Sequence, residues 1–426
     1  MITPEEFPYI TSIHVNDCYA YQNFDIPLFD YKPEKPFSHL ILTGKNGSGK
    51  STILRGLDNY FGGWRSDSLP MTGQSNVAQH LAQLDKIIKT RTTTHGPQEK
   101  EVLNFKRELE RFERVIPNTL IESIPFWRRN KDSSVYAYFP IRRESKVDDV
   151  EVPTPETDFT KKLNSPDSTS FFTRKFVQYL VNQKVEQAFS QIDGQASRVD
   201  WVNQFYADLE TVFLKVFEDD RVKIEFERKS YRIFIELSDG RQINFNVLPA
   251  GQSALLYILM DLTVRVDLIR KQVQDNTYDP CGTVLIDEPE EHLHLELQEQ
   301  VLPILTKLFP NIQFIVATHS PAVIASVKNV TVFDIPSQQR RNDEVVGRSY
   351  SELMTGHLGL KNEYSSITDE IFKEIQQVIN QTRDNPKARK QGIASIIQKN
   401  GSYISPTFMV ELESMILTSD ISSGSR

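Results

Sequence analysis

The sequence predicts an α/β fold: a mixed β-sheet with an antiparallel β subdomain, a helical insertion and a helical C-terminal tail. Three observations predict it. A glycine-rich loop stands directly between an apolar β run and a helical segment. A meander of strands is turned at Lys229-Ser230 and Asp239-Gly240. Three short apolar runs then follow, with a helical segment before the second. Continuous apolar runs of this length read as parallel strands buried on both faces.

The elements are justified in chain order. Residues 9–15 and 19–24 are rich in β-branched and aromatic side chains and predict two antiparallel strands. Residues 38–43 form a third apolar run that enters the loop 44–51, and a helix is expected from Ser51 to about Tyr60. The period then changes. Val77, Leu81, Leu84 and Ile88, and again Val102, Phe105, Leu109, Phe112 and Ile116, recur at i+3/i+4 on either side of a break at 92–97. That spacing predicts a helical hairpin. Residues 136–141 predict a core strand ending in Arg142-Arg143, and the acidic, Pro-rich 147–167 a loop. Helical patterning returns at about 168–217. The meander occupies 222–228, 231–237 and 242–247, a helix 251–271, and the apolar runs 283–286, 312–317 and 330–335. The tail reads as interrupted helix, and 419–426 as disordered. The expected organisation is a core lobe 1–63, a helical insertion 64–134, the rest of the core 135–345, and a helical region 346–426.

Length and composition bound the function. At 426 residues the chain holds two or three domains, and 39% hydrophobic against 25% charged residues excludes wholesale disorder. A net charge of −8 excludes a global basic field, so any nucleic-acid contact must be local. One local surplus exists: between Lys86 and Lys131 stand eleven Lys/Arg against six Asp/Glu, which reads either as a solvated helical face or as a DNA, RNA or partner contact. Cys18 and Cys281 lack metal-ligand spacing and read as two reduced thiols. No secretory leader and no apolar run near ~20 residues is seen, so a soluble, cytoplasmic protein without membrane contact is expected.

Three stretches carry chemistry. Residues 44–51, Gly-Lys-Asn-Gly-Ser-Gly-Lys-Ser, match G-x-x-x-x-G-K-[ST] in full, between strand and helix. The backbone around Asn46, Gly47 and Gly49 can curl so that its N–H groups face phosphate oxygens, aided by the helix N-terminus. Lys50 then reaches the β/γ-phosphates of a nucleoside triphosphate, the Ser51 hydroxyl is a ligand for Mg²⁺, and Thr52 stands at the α-phosphate. Residues 283–288 end a β run in Asp287-Glu288: Asp287 can hold Mg²⁺ at the sheet's carboxyl edge, and Glu288 can orient or deprotonate the attacking water. Residues 317–321 follow the next strand and place His319 where it can hydrogen-bond a γ-phosphate. His292 and His294 read as helix-entry or dimer-contact residues rather than metal ligands.

Residues 248–252, Leu-Pro-Ala-Gly-Gln, lie ahead of the acidic strand and resemble the signature loop of ABC-type ATPases. With Asp287-Glu288-Pro289-Glu290-Glu291-His292-Leu293-His294 and the run from Gln313 to Pro321, the chain resembles the SMC/RecF/OLD-like AAA branch. The resemblance covers roughly 8–63, 135–145 and 220–335, and implies a P-loop NTPase of ABC/SMC-head type. It implies two copies closing on ATP, with Gly251 and Gln252 of one facing the γ-phosphate held by the other. Pro249 stands where the family usually has Ser, which implies slow turnover or substitution by Ser253, and Leu295 replaces a usual Pro. Arg142 and Arg143 occupy roughly the place of the missing Q-loop glutamine, and either is a candidate for phosphate or dimer contact. The compact head resembles Septu PtuA-like and retron-associated anti-phage ATPases, which implies a sensor or scaffold restraining a separate effector nuclease. The alternatives are a RecF-like repair ATPase acting on DNA and, last, a transporter's ATPase subunit.

Overall fold

The computed structural model describes residues 1–28, 36–65, 114–119, 126, 130, 132–143, 146–163, 168–248, 250–341, 352, 366–382, 385–401 and 409. The chain divides into two units, Met1–Tyr350 and Ser351–Arg426. The first runs β1 (Ile10–Asp17), β2 (Gln22–Pro27), β3 (His39–Thr43), α1 (Lys50–Arg65), β4 (Val115–Thr119), β5 (Val135–Phe139), α2 (Thr157–Lys162), α3 (Ser168–Arg174), α4 (Phe176–Ile192) and α5 (Ala196–Phe217). It continues through β6 (Lys223–Glu227), β7 (Arg232–Glu236), β8 (Gln242–Ile243), α6 (Ala250–Val273), β9 (Gly282–Asp287), α7 (Leu295–Leu308), β10 (Ile312–Ala317), α8 (Pro321–Ala325), β11 (Val330–Asp334) and β12 (Gln339–Arg340).

The central sheet has the order β12-β11-β3-β10-β9-β5, parallel except for the β12 edge. Every residue of β3, β9 and β10 is buried, which is why these strands read as unbroken apolar runs rather than alternating ones. Register matters more here than strand count. Leu42 pairs with Ala317, and Ala317 with Asp287, so three strands far apart in sequence end at one level. The loops that leave them must emerge side by side.

Two small antiparallel sheets flank this core. β2-β1-β4 packs into the same apolar cluster as α1 and the central strands, through Ile13, Val15, Leu54, Leu57 and Val115. β6-β7-β8 is the expected meander, although β8 is only two residues long and a short 3₁₀ turn, Phe245–Val247, takes the rest of the predicted strand. Residues 115–119 correct the sequence reading: Ile116 was expected to close a helix, and instead it lies in β4, paired with His14. Pro117 explains the outcome, because it disfavours helix at the preceding residue and is tolerated on an edge strand. The remainder of the expected hairpin, residues 74–113, lies outside the described residues, as does the Lys86-to-Lys131 surplus apart from Arg114, the β4 strand, Phe126 and Asn130.

Helices α2–α6 form a helical flank with a polar seam. The Lys271 ammonium donates to Glu156, the Tyr179 hydroxyl and Gln183, and Asp267 accepts from Tyr179 and Trp201. These bonds fix α6, whose first turn carries the signature residues. Within the second unit α9 (Ser366–Gln381) and α10 (Pro386–Asn400) pack through Ile371, Ile375 and Ile393, as the interrupted helical tail predicted. The final residues 419–426 lie outside the described residues. Among the described residues no helix is long and apolar enough to cross a membrane.

Candidate nucleotide site

The glycine-rich loop follows β3 and opens α1, as predicted. Asn46 and Gly47 are exposed, Ser51 and Thr52 half-buried on the first turn of α1, and Lys50 buried with its ammonium 2.7 Å from the Gly44 carbonyl. Gly49 has φ +97°, and a Cβ there would stand 2.8 Å from Cys18 Sγ and 2.9 Å from the Cys18 carbonyl. Only glycine meets both demands. Sequence reasoning gave Cys18 no role, yet it is the floor on which the loop rests.

Asp287 ends β9 beneath this loop. Its Oδ1 is buried without a hydrogen-bond partner, and the Ser51 hydroxyl lies near enough to the same carboxylate to draw its pKa down. An orphaned anionic oxygen beside a hydroxyl is a donor set that fits Mg²⁺. Burial pushes the Asp287 carboxyl up, Ser51 opposes this, and Glu288 adds to the rise.

Glu288 leaves the strand with φ +50°, its N–H donating to the Ala317 carbonyl at 2.8 Å. A left-handed non-glycine residue at a chemical site is strain, on the order of 1–3 kcal/mol, which the surroundings must hold. Arg143 is one holder: its guanidinium donates to the Asp287 carbonyl at 2.8 Å and to the Glu288 carbonyl at 2.5 Å. Of the two arginines offered for phosphate or dimer contact, Arg143 is therefore buried against its own chain, while Arg142 is exposed. Two adjacent basic residues give no sequence signal for which one turns inward.

His319 follows β10, and its Nδ1 stands 2.6 Å from Glu288 Oε2, with side-chain exposures of 56% and 12%. The pair is polarised. Burial pushes Glu288 up, but contacts with His319 and Glu290 and the field of Lys50 outweigh it and hold the carboxyl below its ordinary value. Glu288 in turn lifts the His319 imidazole above its ordinary value, against partial desolvation. Behind them Glu290 is 6% exposed and pushed up to about 7, by burial first and by Glu288 second. Its Oε1 accepts from the Thr318 hydroxyl, from the His319 N–H at 3.0 Å and from the Ser320 N–H at 3.1 Å.

Gly251 and Gln252 lie at the start of α6, half-buried, with Gln252 Nε2 3.5 Å from the Val216 carbonyl. Pro249 lies outside the described residues. A Cβ on Gly251 would stand 2.4 Å from the His292 carbonyl oxygen, so the helix tip abuts the segment that follows Glu288 in the same chain. The sequence reading assigned this glycine only to a partner's phosphate and missed the contact at home. His294 does mark helix entry, its ring nitrogen accepting from the Leu297 N–H at the start of α7. A further feature went unread: Tyr19, 70% exposed with φ +68°, presents its ring beside the loop's Cys18 floor, with the Arg114 guanidinium 4.5 Å above it.

The family described as "AAA domain, putative AbiEii toxin, Type IV TA system" matches residues 40–325, well over half of the chain. The chain is 24% identical over 371 residues to the Retron Vc95 probable ATPase of Vibrio cholerae serotype O1 biovar El Tor, covering 71% of each protein. It is 28% identical over 141 residues to the Septu protein PtuA of Bacillus thuringiensis, covering 32% of this chain and 34% of that one. Among solved structures, the SmcHead bound to the C-winged helix domain of ScpA matches at a TM-score of 0.40 and 13% identity, covering 76% of this chain and 94% of that one.

Proposed function

This chain belongs to the AAA-domain family matched over residues 40–325, and on that premise we propose that it hydrolyses ATP at a site completed by a second copy of itself. The observation that carries the reading is convergence. Strand ends 30 to 274 residues apart (Thr43, Asp287 and Ala317) bring Lys50 and Ser51, the Asp287-Glu288 turn and His319 to one edge of the sheet.

Roles follow from the chemistry of each group. Lys50 neutralises β/γ-phosphate charge once its ammonium turns from the Gly44 carbonyl. Ser51 and Asp287 would hold Mg²⁺, which supplies charge neutralisation on the phosphate oxygens when bound. Glu288 orients the attacking water and accepts its proton. While His319 faces Glu288, the imidazolium keeps the carboxylate ionised but weakly basic. A γ-phosphate oxygen that draws the imidazolium away would leave Glu288 a stronger base at the moment water must be activated. That exchange is how the site would tell ATP from ADP. Tyr19 offers a face on which the adenine ring can stack.

The first turn of α6 supports the paired site, since the free N–H groups of a helix N-terminus favour an anion. A Glu288→Gln variant loaded with MgATP is expected to sediment as a dimer, and Gln252→Glu in that background to stay monomeric, because it sets a carboxylate against the partner's phosphate. Monomers in both would overturn the paired site. Likeness to a retron probable ATPase and to a Septu protein supports a further role as the sensor or scaffold subunit of an anti-phage system that controls a separate nuclease. Co-purification of an adjacent gene's nuclease, released or activated by the Lys50→Ala variant, is the expected sign; indifference of that nuclease to nucleotide state would refute it.

A further inference from the structure

We propose that Glu290 is a positioning residue that moulds the His319 loop and keeps it against the Glu288 turn. The inference rests on the hydrolytic reading of that pair, but assigns a task to a side chain that the reading leaves idle.

The loop after β10 has three inward donors: the Thr318 hydroxyl and the N–H groups of His319 and Ser320. All three converge on one oxygen, Glu290 Oε1. Successive backbone N–H groups of this kind form a small concavity that an anion fills. Here the chain itself supplies the acceptor, a carboxyl oxygen. Glu290 stands two residues beyond Glu288 on the same turn, so the loop bearing His319 is shaped by the segment that bears its partner. Its other oxygen, Oε2, is buried without a hydrogen-bond partner, and the charge of Glu288 adds to burial in raising the carboxyl's pKa, so the carboxyl also senses the catalytic carboxylate.

The same segment is tied on its far side. Gln298 of α7 donates to the Leu293 carbonyl at 2.8 Å and accepts from the Ser320 hydroxyl at 2.7 Å, closing a ring from Glu290 through Ser320 and Gln298 to Leu293. His292, inside that ring, meets Gly251 through its carbonyl. A side chain 6% exposed and bonded only to loop groups is not placed to touch substrate. It acts through His319 and Glu288.

The test compares Glu290→Ala with Glu290→Gln in the full chain. Glutamine keeps an acceptor oxygen for all three donors, whereas alanine removes it from all three and leaves the Ser320 N–H only the Thr318 hydroxyl at 2.9 Å. For Glu290→Ala we expect kcat to fall about 100-fold, the loss typical of reacting groups misplaced by about 1 Å, with the MgATP dissociation constant within about threefold of wild type. Amide hydrogen exchange at His319 and Ser320 should rise at least about tenfold in Glu290→Ala and be restored in Glu290→Gln, together with most of kcat. Unchanged exchange in Glu290→Ala, or a Glu290→Gln variant as slow as the alanine variant, overturns the proposal. Exchange reports the clamp whether or not ATP turns over, while Glu288→Gln reports the hydrolytic reading, so the two failures are distinguishable. If Glu290→Ala does not fold, Thr318→Val removes one donor and should accelerate the same amides by a smaller factor; no acceleration overturns the proposal equally.

Discussion

Substituting Gly251 by alanine puts a methyl carbon 2.4 Å from the His292 carbonyl oxygen and 3.2 Å from its carbon. Ordinary contact begins near 3.4 Å, so the overlap is about 1 Å, and it is against backbone, which no rotamer change relieves. Overpacking of this kind costs typically about 1–3 kcal/mol. Alanine's better helix propensity returns up to ~1 kcal/mol, less in a first turn, which leaves a net loss of about 1–2 kcal/mol. The assay is the urea midpoint of the nucleotide-free protein. A second substitution sharpens it: His292 has φ +65°, so His292→Gly relaxes a left-handed residue and lets the segment retreat, and should recover part of the loss in the double variant. An unchanged midpoint in Gly251→Ala would refute the packing of the helix tip against its own chain. It follows that a glycine substitution here is a mixed probe of association, whereas Gln252→Glu alters charge without that collision.

Other expectations follow from the same geometry. Lys50→Ala should weaken ATP binding by about 10–100-fold, since a charge-assisted phosphate contact contributes about 1.5–3 kcal/mol, and calorimetry showing wild-type affinity would contradict it. His319 titrates above its ordinary value, so its ion pair contributes stability in full below a pH near 6.5 and loses it as pH rises through the raised value. The urea-midpoint difference between wild type and His319→Ala should therefore be largest near pH 6 and shrink by pH 9. At 56% exposure solvent screening limits it to roughly 0.5–1 kcal/mol, and a difference that grows with pH would count against the pair.

Sequence patterns were most legible where one physical demand dominates. The buried parallel strands, the phosphate loop and the two carboxylates at the end of β9 all obey local rules: unbroken apolar runs, a glycine that must take φ +97°, and a polar pair that can only sit at a strand's end. What stayed hidden depends on tertiary neighbours. The i+3/i+4 spacing through Ile116 promised a helix, but Gly56 brings α1 within contact of Val115 and β1 offers open backbone bonds, so pairing won. Pro117 was the available signal. Glu290 and Arg143 were visible as residue types inside or beside motifs, but their partners lie on loops nearly 30 and about 145 positions away, where spacing carries no information. The Gly251–His292 abutment was invisible for the same reason: a glycine may be required by a turn, a ligand or a neighbour, and its letter does not say which.

The most direct test of the hydrolytic centre is single-turnover cleavage of bound ATP by Glu288→Gln beside wild type. Glutamine preserves the side-chain shape and leaves Lys50, Ser51 and Asp287 in place, so ATP should remain bound with near-normal affinity while cleavage slows by about 10²–10⁴-fold, the span expected for loss of a general base. Cleavage at the wild-type rate with ATP normally bound would show that the carboxylate facing His319 does not activate the water.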